Sequence, residues 1–133
     1  MIKKVDHIGI VVKDLDSSLE IYSKELGFEC VEIREIQEVE LRIAVLQAKG
    51  IGIELLQYRN PEMEMVKALR GNLEGLNHIC YEVEGFDDAM KRLMENGSKL
   101  IEGFPRKGVH GRIAFFIPPH SPEERIEILE VKT

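Results

Sequence analysis

Hydrophobic and polar positions alternate in two short stretches of the chain that resemble each other. The first reads VDHIGIVV over residues 5–12, and the second reads LNHICYEV over residues 76–83. Alternation with a period of two is typical of a β-strand. Each stretch carries one histidine, and His78 follows His7 by 71 positions. The pattern therefore indicates one structural module that is written twice along the chain.

The first repeat is predicted to fold as a βαβββ module. Asp16 is expected to cap a helix that follows the opening strand, and Gly27 is expected to end it. Strands are then predicted over residues 28–36, 39–47 and 52–58. Apolar and polar residues alternate in the strand over 39–47, so we expect that strand to be half exposed.

The second repeat predicts the same order of elements. The offset of 71 also relates Asp16 to Asp87, so the match continues into the helix. We expect a strand that ends at Val83, a helix over residues 86–95, a strand over 99–102, a glycine-rich loop and two closing strands. Between the repeats, the segment from 61 to 73 is predicted to be a helical linker.

Composition limits the possible partners. The chain has 133 residues, 44% of them hydrophobic, which is enough for the core of a single domain. Its net charge is −6 with acidic and basic residues interspersed, which argues against nucleic acid and anionic membranes as partners. Two cysteines and the lack of a long apolar N-terminal segment predict a reduced, cytoplasmic protein. The expected partner is a small molecule or a second copy of the chain.

Each repeat also places one glutamate inside an apolar strand. Glu54 lies in IELLQ and Glu127 lies in IEILE. Burying a carboxylate is costly unless a positive group meets it. A single strand histidine is more often a packed residue than a ligand, but the repetition of a histidine and a glutamate in both modules favours a metal. His7, Glu54, His78 and Glu127 would give two nitrogen and two oxygen ligands if the modules pack with pseudo-twofold symmetry. Such a set suits an open site for Co, Ni, Mn or Zn.

These patterns predict an α+β fold in which two tandem βαβββ modules form a curved mixed sheet around a central metal cleft. We expect one domain over residues 1–133. Module one is predicted at about 3–58, the linker helix at about 61–73 and module two at about 75–131.

The sequence resembles the vicinal oxygen chelate superfamily, which includes glyoxalases, bleomycin resistance proteins and dioxygenases. Within it, the chain is most similar to the methylmalonyl-CoA epimerase family. The resemblance is carried by four strings: DHIGIVVKDLDSSLEIY at 6–22, IELLQ at 53–57, EGLNHICYEV at 74–83 and PRKGVHGRIAFF at 105–116.

The resemblance implies a function and roles for particular residues. His7, Glu54, His78 and Glu127 match the metal ligands of that family, and Glu38 matches its general base. The implied activity is metal-dependent epimerisation of methylmalonyl-CoA or a similar 2-substituted acyl thioester, by removal of the C2 proton through a metal-stabilised enolate. Glu127 would serve the opposite face of the substrate. The implied cofactor is a divalent Co, Ni, Mn or Zn ion, and the implied partners are an acyl-CoA substrate and a second subunit in a homodimer.

Several readings remain open. Residues 118–121 read PPHS where the family reads His-Pro-Lys-Ser, the turn over 122–125 is shorter, and Asn77 replaces a histidine, which leaves recognition of coenzyme A undecided. Glu38 is alternatively a solvent-facing strand residue, and the loop over 106–111 is either a simple turn or a segment that approaches substrate. Alternative functions are a glyoxalase I-type isomerase, similar to lactoylglutathione lyase, and a non-enzymatic small-molecule binding protein.

Overall fold

The computed structural model describes residues 1–131, which contain nine strands and three α-helices. The strands are β1 (Ile2–Val11), β2 (Glu29–Ile36), β3 (Leu41–Gln47), β4 (Gly52–Tyr58), β5 (Gly75–Val83), β6 (Lys99–Leu100), β7 (Arg106–Lys107), β8 (Gly111–Ile117) and β9 (Arg125–Val131). The helices are α1 (Leu15–Leu19), α2 (Glu64–Arg70) and α3 (Phe86–Glu95). α1 continues directly into a π-helix over Glu20–Glu25.

The chain divides into two compact units. The N-terminal unit comprises His7–Asn77, and the C-terminal unit comprises Met1–Asp6 together with the chain from His78 onward. β1 thus contributes its first residues to one unit and its last residues to the other. The module boundaries predicted from the sequence stay a prediction.

In the N-terminal unit, the strands lie in the order β2-β3-β4-β1. β1 runs parallel to β4, while β3 is antiparallel to both β2 and β4. Four side chains that are buried against one another form the core of this unit: Leu15, Ala44, Leu46 and Leu55. The core lies between the first turn of α1 and one face of β3 and β4.

The first helix differs from its prediction in where it begins and in which side chains it buries. Asp14, with extended backbone, stands at the N-cap position instead of Asp16, because Leu15 is already helical and completely buried. The main-chain N–H of Leu15 also donates to Gln57 Oε1 at 2.9 Å. The π-helix that follows has no buried residue, and Ile21 within it is 49% exposed.

The predicted half exposure of the strand over 39–47 is wrong. Val39 lies in a 3₁₀ turn over Gln37–Val39, and the strand begins only at Leu41. Leu41 and Ile43 are buried, and so are Ala44 and Leu46, which point to the opposite face. α1 covers that opposite face, so β3 has buried side chains on both sides.

In the C-terminal unit, the strands lie in the order β5-β9-β8-β6, and β7 pairs with β8. β5 and β9 are parallel, and β8 is antiparallel to β9. The buried core is Val83, Phe86, Ala114, Phe116 and Ile128. Four of these are the repeat counterparts of the other core, because Phe86, Ala114, Phe116 and Ile128 match Leu15, Ala44, Leu46 and Leu55. The two modules therefore repeat their packing as well as their strand order.

Two details of the second module depart from expectation. The strand predicted over 99–102 is limited to Lys99–Leu100, and the predicted glycine-rich loop contains the short strand β7. α3 spans the residues that were predicted for it. No helix among residues 1–131 is long and apolar enough to cross a membrane.

Candidate metal centre

A histidine and a glutamate lie together on neighbouring strands of the C-terminal unit. His78 is on β5 and Glu127 is on β9, where its Cα partner is Cys80, two residues after the histidine. The His78 Nε2 and Glu127 Oε1 atoms are 3.2 Å apart. The two side chains are only 4% and 8% exposed, so most of their polar surface is shielded from water.

The N-terminal unit contains a second pair with the same strand geometry. His7 is on β1 and Glu54 is on β4, where its Cα partner is Gly9, again two residues after the histidine. The His7 Nε2 and Glu54 Oε1 atoms are 3.5 Å apart, and the side chains are 11% and 17% exposed. Each module thus builds its own His–Glu pair from one parallel strand pairing, buried in the C-terminal unit and partly exposed in the N-terminal unit.

Strand alternation explains why the glutamates are positioned in this way. Successive side chains of a strand point to opposite faces of the sheet. Leu55, next to Glu54, enters the core beneath α1, and Ile128, next to Glu127, enters the core beneath α3. Each carboxylate therefore points to the sheet face that its own module's helix does not cover.

The residues of each pair fit a divalent metal ion. Two ligands at about 2.0–2.2 Å from one ion, in adjacent coordination positions, are about 3.0–3.5 Å from each other. The separations of 3.2 Å and 3.5 Å agree with that geometry. Imidazole nitrogens and carboxylate oxygens are also ligands that Co, Ni, Mn and Zn accept.

An aromatic side chain orients the imidazole of His78. The Phe115 ring meets the His78 ring edge to face with centroids 5.1 Å apart, and Phe104 packs on Phe115 in turn at 5.3 Å. Phe115 is the Cα partner of Glu127, whereas Val45 is the partner of Glu54 in the first module. The one sign of this support in the sequence is the aromatic residue Phe115 beside Ala114, the counterpart of Ala44.

Glu38 lies in a turn instead of a strand. It is the central residue of the 3₁₀ turn that joins β2 to β3, and it is exposed. Its neighbour Val39 is 4% exposed and fixes the turn to the core. The interpretation of Glu38 as a strand residue is therefore wrong. The role of Glu38 as a general base stays a prediction.

The glycines of the loop over 106–111 have local structural roles. The N–H of Gly108 donates to the carbonyl oxygen of Gly111 at 2.7 Å, so that amide is already engaged. A Cβ atom at Gly111 would overlap the carbonyl oxygen of Glu130 on the neighbouring strand. His110, in the same loop, is exposed.

A family model described as the glyoxalase/bleomycin resistance protein/dioxygenase superfamily matches residues 6–116. The chain belongs to this superfamily. It is 31% identical over 121 residues to the ethylmalonyl-CoA/methylmalonyl-CoA epimerase of Cereibacter sphaeroides, covering 90% of each chain. The resemblance found in the sequence is thereby confirmed.

Solved structures agree with this assignment. The methylmalonyl-CoA epimerase of Mycobacterium tuberculosis has a TM-score of 0.79 and 27% identity, with 99% of this chain and 90% of that chain covered. A methylmalonyl-CoA epimerase in complex with methylmalonyl-CoA has a TM-score of 0.77 and 27% identity, with coverage of 100% and 97%. The predicted α+β fold of two βαβββ modules is confirmed.

Asn77 has a structural role in this chain. The residue, at which the resemblance implies a second histidine, is 4% exposed. Its Nδ2 donates to the carbonyl oxygens of Leu69 and Arg70 at 3.2 Å and 3.1 Å. Those carbonyls lie in the last turn of α2, where helical partners are lacking. Asn77 therefore caps the linker helix.

Proposed function

We propose that this chain is a divalent-metal-dependent epimerase that inverts C2 of methylmalonyl-CoA or of a similar 2-substituted acyl thioester. The predicted assignment to the isomerase class of enzymes is confirmed by the epimerases among its relatives and structural neighbours. The observation that supports the metal-dependent part of the proposal is the His–Glu pair that both modules build with one strand register.

The two pairs, His7 with Glu54 and His78 with Glu127, together hold one ion in this proposal. Support comes from the cost of burying a carboxylate, which a cation offsets, and from donor atoms that suit an open site. A bound divalent ion acts as a Lewis acid and stabilises the negative charge that develops on the substrate's carbonyl oxygen when C2 loses its proton.

The protein's own carboxylates move the proton. Glu38 accepts the C2 proton on one face of the substrate, and the carbon becomes planar. Glu127 would take up a proton from solvent and deliver it to the opposite face, so the configuration at C2 is inverted. Glu38 would return the abstracted proton to solvent, and the two residues would exchange roles in the reverse direction. An exposed turn is consistent with the role of Glu38, since a general base must reach the bound substrate.

The proposed substrate is carried by coenzyme A, and the proposed assembly is a homodimer. A structural neighbour bound to methylmalonyl-CoA supports an acyl-CoA substrate.

Deuterium uptake at C2 of methylmalonyl-CoA in heavy water tests this function. Protein loaded with cobalt is compared with the same protein stripped by a chelator and with stripped protein reloaded with cobalt. We expect rapid exchange with metal, loss of exchange on stripping and recovery on reloading, because the C2 proton is too weakly acidic to be removed without charge stabilisation.

Two results would contradict the proposal. Equal exchange by stripped and loaded protein would show that the reaction does not need the metal. Absence of exchange while cobalt is demonstrably bound would show that the protein is not an epimerase of this substrate, and the glyoxalase I-type reaction would then be assayed with a thiohemiacetal.

A further inference from the structure

A cavity of about 450 Å³ lies on the helix-covered face of the C-terminal unit. Apolar and aromatic side chains from α3, β5 and β9 line it, among them Ala89, Leu93, Tyr81, Ile126 and Ile128. The two isoleucines stand on either side of Glu127 along β9, and successive side chains of a strand point to opposite faces of the sheet. The cavity therefore lies on the other side of the sheet from the carboxylate of Glu127, and it is no part of the candidate metal centre.

The first module places aromatic rings at the corresponding position. Tyr22 and Phe28 pack against the core of that module, and their ring centroids are 6.0 Å apart. By the repeat offset of 71, Leu93 is the counterpart of Tyr22. By the same offset, Tyr81 is the counterpart of Ile10, so the tyrosine of the second module comes from the strand instead of the helix. Since leucine is smaller than tyrosine, the second module lacks the ring that its counterpart packs between helix and sheet.

The cavity lining contains one uncharged polar side chain, that of Tyr81. This residue is half-buried, and its hydroxyl has no hydrogen-bond partner among residues 1–131. The hydroxyl of a tyrosine that is shielded from water usually finds a partner. A ligand that carries a hydrogen-bonding group would supply that partner.

The mouth of the cavity carries charges of both signs. Glu84 and Asp88 line it with exposed carboxylates, and Arg92 lines it with an exposed guanidinium. A charged ligand of either sign would meet a like charge there, which disfavours its binding. The mouth therefore favours an uncharged ligand.

The volume of the cavity suits a small molecule. Binding sites for small molecules are about 300–1,000 Å³ in volume and are mainly apolar with a few polar groups. An apolar cavity of about 150 Å³ is already large enough to bind benzene. The cavity of this chain, at about 450 Å³, therefore has room for an aromatic ring system.

We propose that this cavity binds a small uncharged aromatic molecule that carries a hydrogen-bonding group, such as a phenol or an indole. The ring of the ligand lies between α3 and the sheet, where the first module places Tyr22. The polar group of the ligand forms a hydrogen bond with the hydroxyl of Tyr81. This inference does not depend on the proposed epimerase function, because the site lies on the opposite face of the sheet from Glu127.

The probe for this site is p-cresol, which has the ring and the hydroxyl of a tyrosine side chain. Calorimetric titration of the full chain measures its stoichiometry and affinity. We expect one p-cresol molecule per chain with a Kd of about 0.1–1 mM. In NMR spectra, the methyl signals of Leu93, Ile126 and Ile128 should shift as p-cresol is added.

Two substitutions test the site itself. Leu93→Tyr introduces the side chain of the first module and should weaken p-cresol binding at least about tenfold, because it fills the cavity. Tyr81→Phe keeps the ring but removes the hydroxyl, and should weaken binding about three- to tenfold.

The matched control is Met94→Tyr. Met94 is the next residue of α3 after Leu93, but it is 50% exposed and does not line the cavity. Its substitution adds the same side chain to the same helix and should leave p-cresol binding unchanged. Melting temperatures establish that each variant is folded.

Four outcomes would overturn the inference. The first is the absence of saturable p-cresol binding to the wild type. The second is equal affinity of the wild type and the folded Leu93→Tyr and Tyr81→Phe variants, and the third is a set of methyl shifts that excludes the cavity residues. The fourth is a dimer that does not bind p-cresol and that Leu93→Tyr dissociates in sedimentation experiments, which would show that a second copy of the chain covers the cavity.

Discussion

Glu54 and Glu127 show how a single residue can carry a functional signal. Each is flanked on both sides by apolar strand residues, and each lies within 3.5 Å of a histidine nitrogen. A buried carboxylate that lost its partner would carry an uncompensated charge, which costs several kcal/mol. The two glutamates are therefore explained by their histidine partners and, in the proposed function, by a metal ion, whereas the leucines and isoleucines around them are explained by packing.

Glu38 should separate proton transfer from metal binding. We expect Glu38→Gln to reduce C2 deuterium exchange by about 10²- to 10⁴-fold, because an amide cannot accept the proton that a carboxylate base removes. Cobalt content, measured by elemental analysis after dialysis, should be unchanged.

The matched control for this prediction is Glu35→Gln. Glu35 is three residues away and exposed, and its carboxylate pairs with Arg59 and Arg42. Its substitution should leave exchange intact. Full activity of Glu38→Gln would show that another group is the base.

At the scale of elements, the closing hairpin of the second module depends on close contact between two backbones. β8 begins at Gly111, whose φ is 152°, and its Cα partner on β9 is Val131. The neighbouring carbonyl of Glu130 occupies the place where a Cβ would be. Only glycine lets β8 pair with β9 from its first residue.

Gly111→Ala should destabilise the protein by about 3 kcal/mol, because the methyl group must displace backbone instead of a flexible side chain. Urea unfolding followed by circular dichroism measures this loss.

Gly50→Ala is the control for the conformational part of this effect. Gly50 also has a positive φ, of 106°, but a Cβ there would meet nothing within 4 Å. Its substitution should cost only about 1 kcal/mol. If both variants lost the same free energy of unfolding, the close approach of β8 and β9 at Gly111 would contribute nothing to the effect.

At the scale of the whole molecule, the two modules repeat one another in core, strand order and His–Glu register. Two identical pairs could in principle bind two ions, one in each module. The proposed function requires that they share one.

Metal stoichiometry tests this requirement. We expect one cobalt ion per chain, because the open site proposed here uses all four ligands. Glu54→Ala and Glu127→Ala should each weaken cobalt binding by more than about 100-fold, since even outer partners of metal ligands contribute 10- to 100-fold.

Stripped protein is titrated with cobalt, and binding is followed by calorimetry and by the rise in melting temperature. The titration gives the number of cobalt ions per chain and the affinity for cobalt. Two ions per chain, or a variant that retains one full-affinity ion, would show that the modules bind metal separately.

Much of the fold was predictable from the sequence because its signals are local or repeated. Alternation over 5–12 and 76–83 identified the opening strands, and Gly97, with its positive φ of 98°, follows the predicted end of α3. The internal repeat then added information that one module alone lacks. It singled out a histidine and a glutamate in each half, and the structure places each of these pairs together.

Tertiary structure decided what local patterns could not. The π-helical turns after Leu19 and the burial of both faces of β3 depend on which surfaces pack together. The bonds from Asn77 to α2 and from Arg125 to the segment before β9 depend on backbone geometry after folding. Sequence by itself determined most of the elements, their repetition and the choice of the residues proposed as metal ligands, because these follow from residue type and spacing. Register, burial and hydrogen-bond partners followed only from the folded chain, because they join residues whose side chains and carbonyls meet in space.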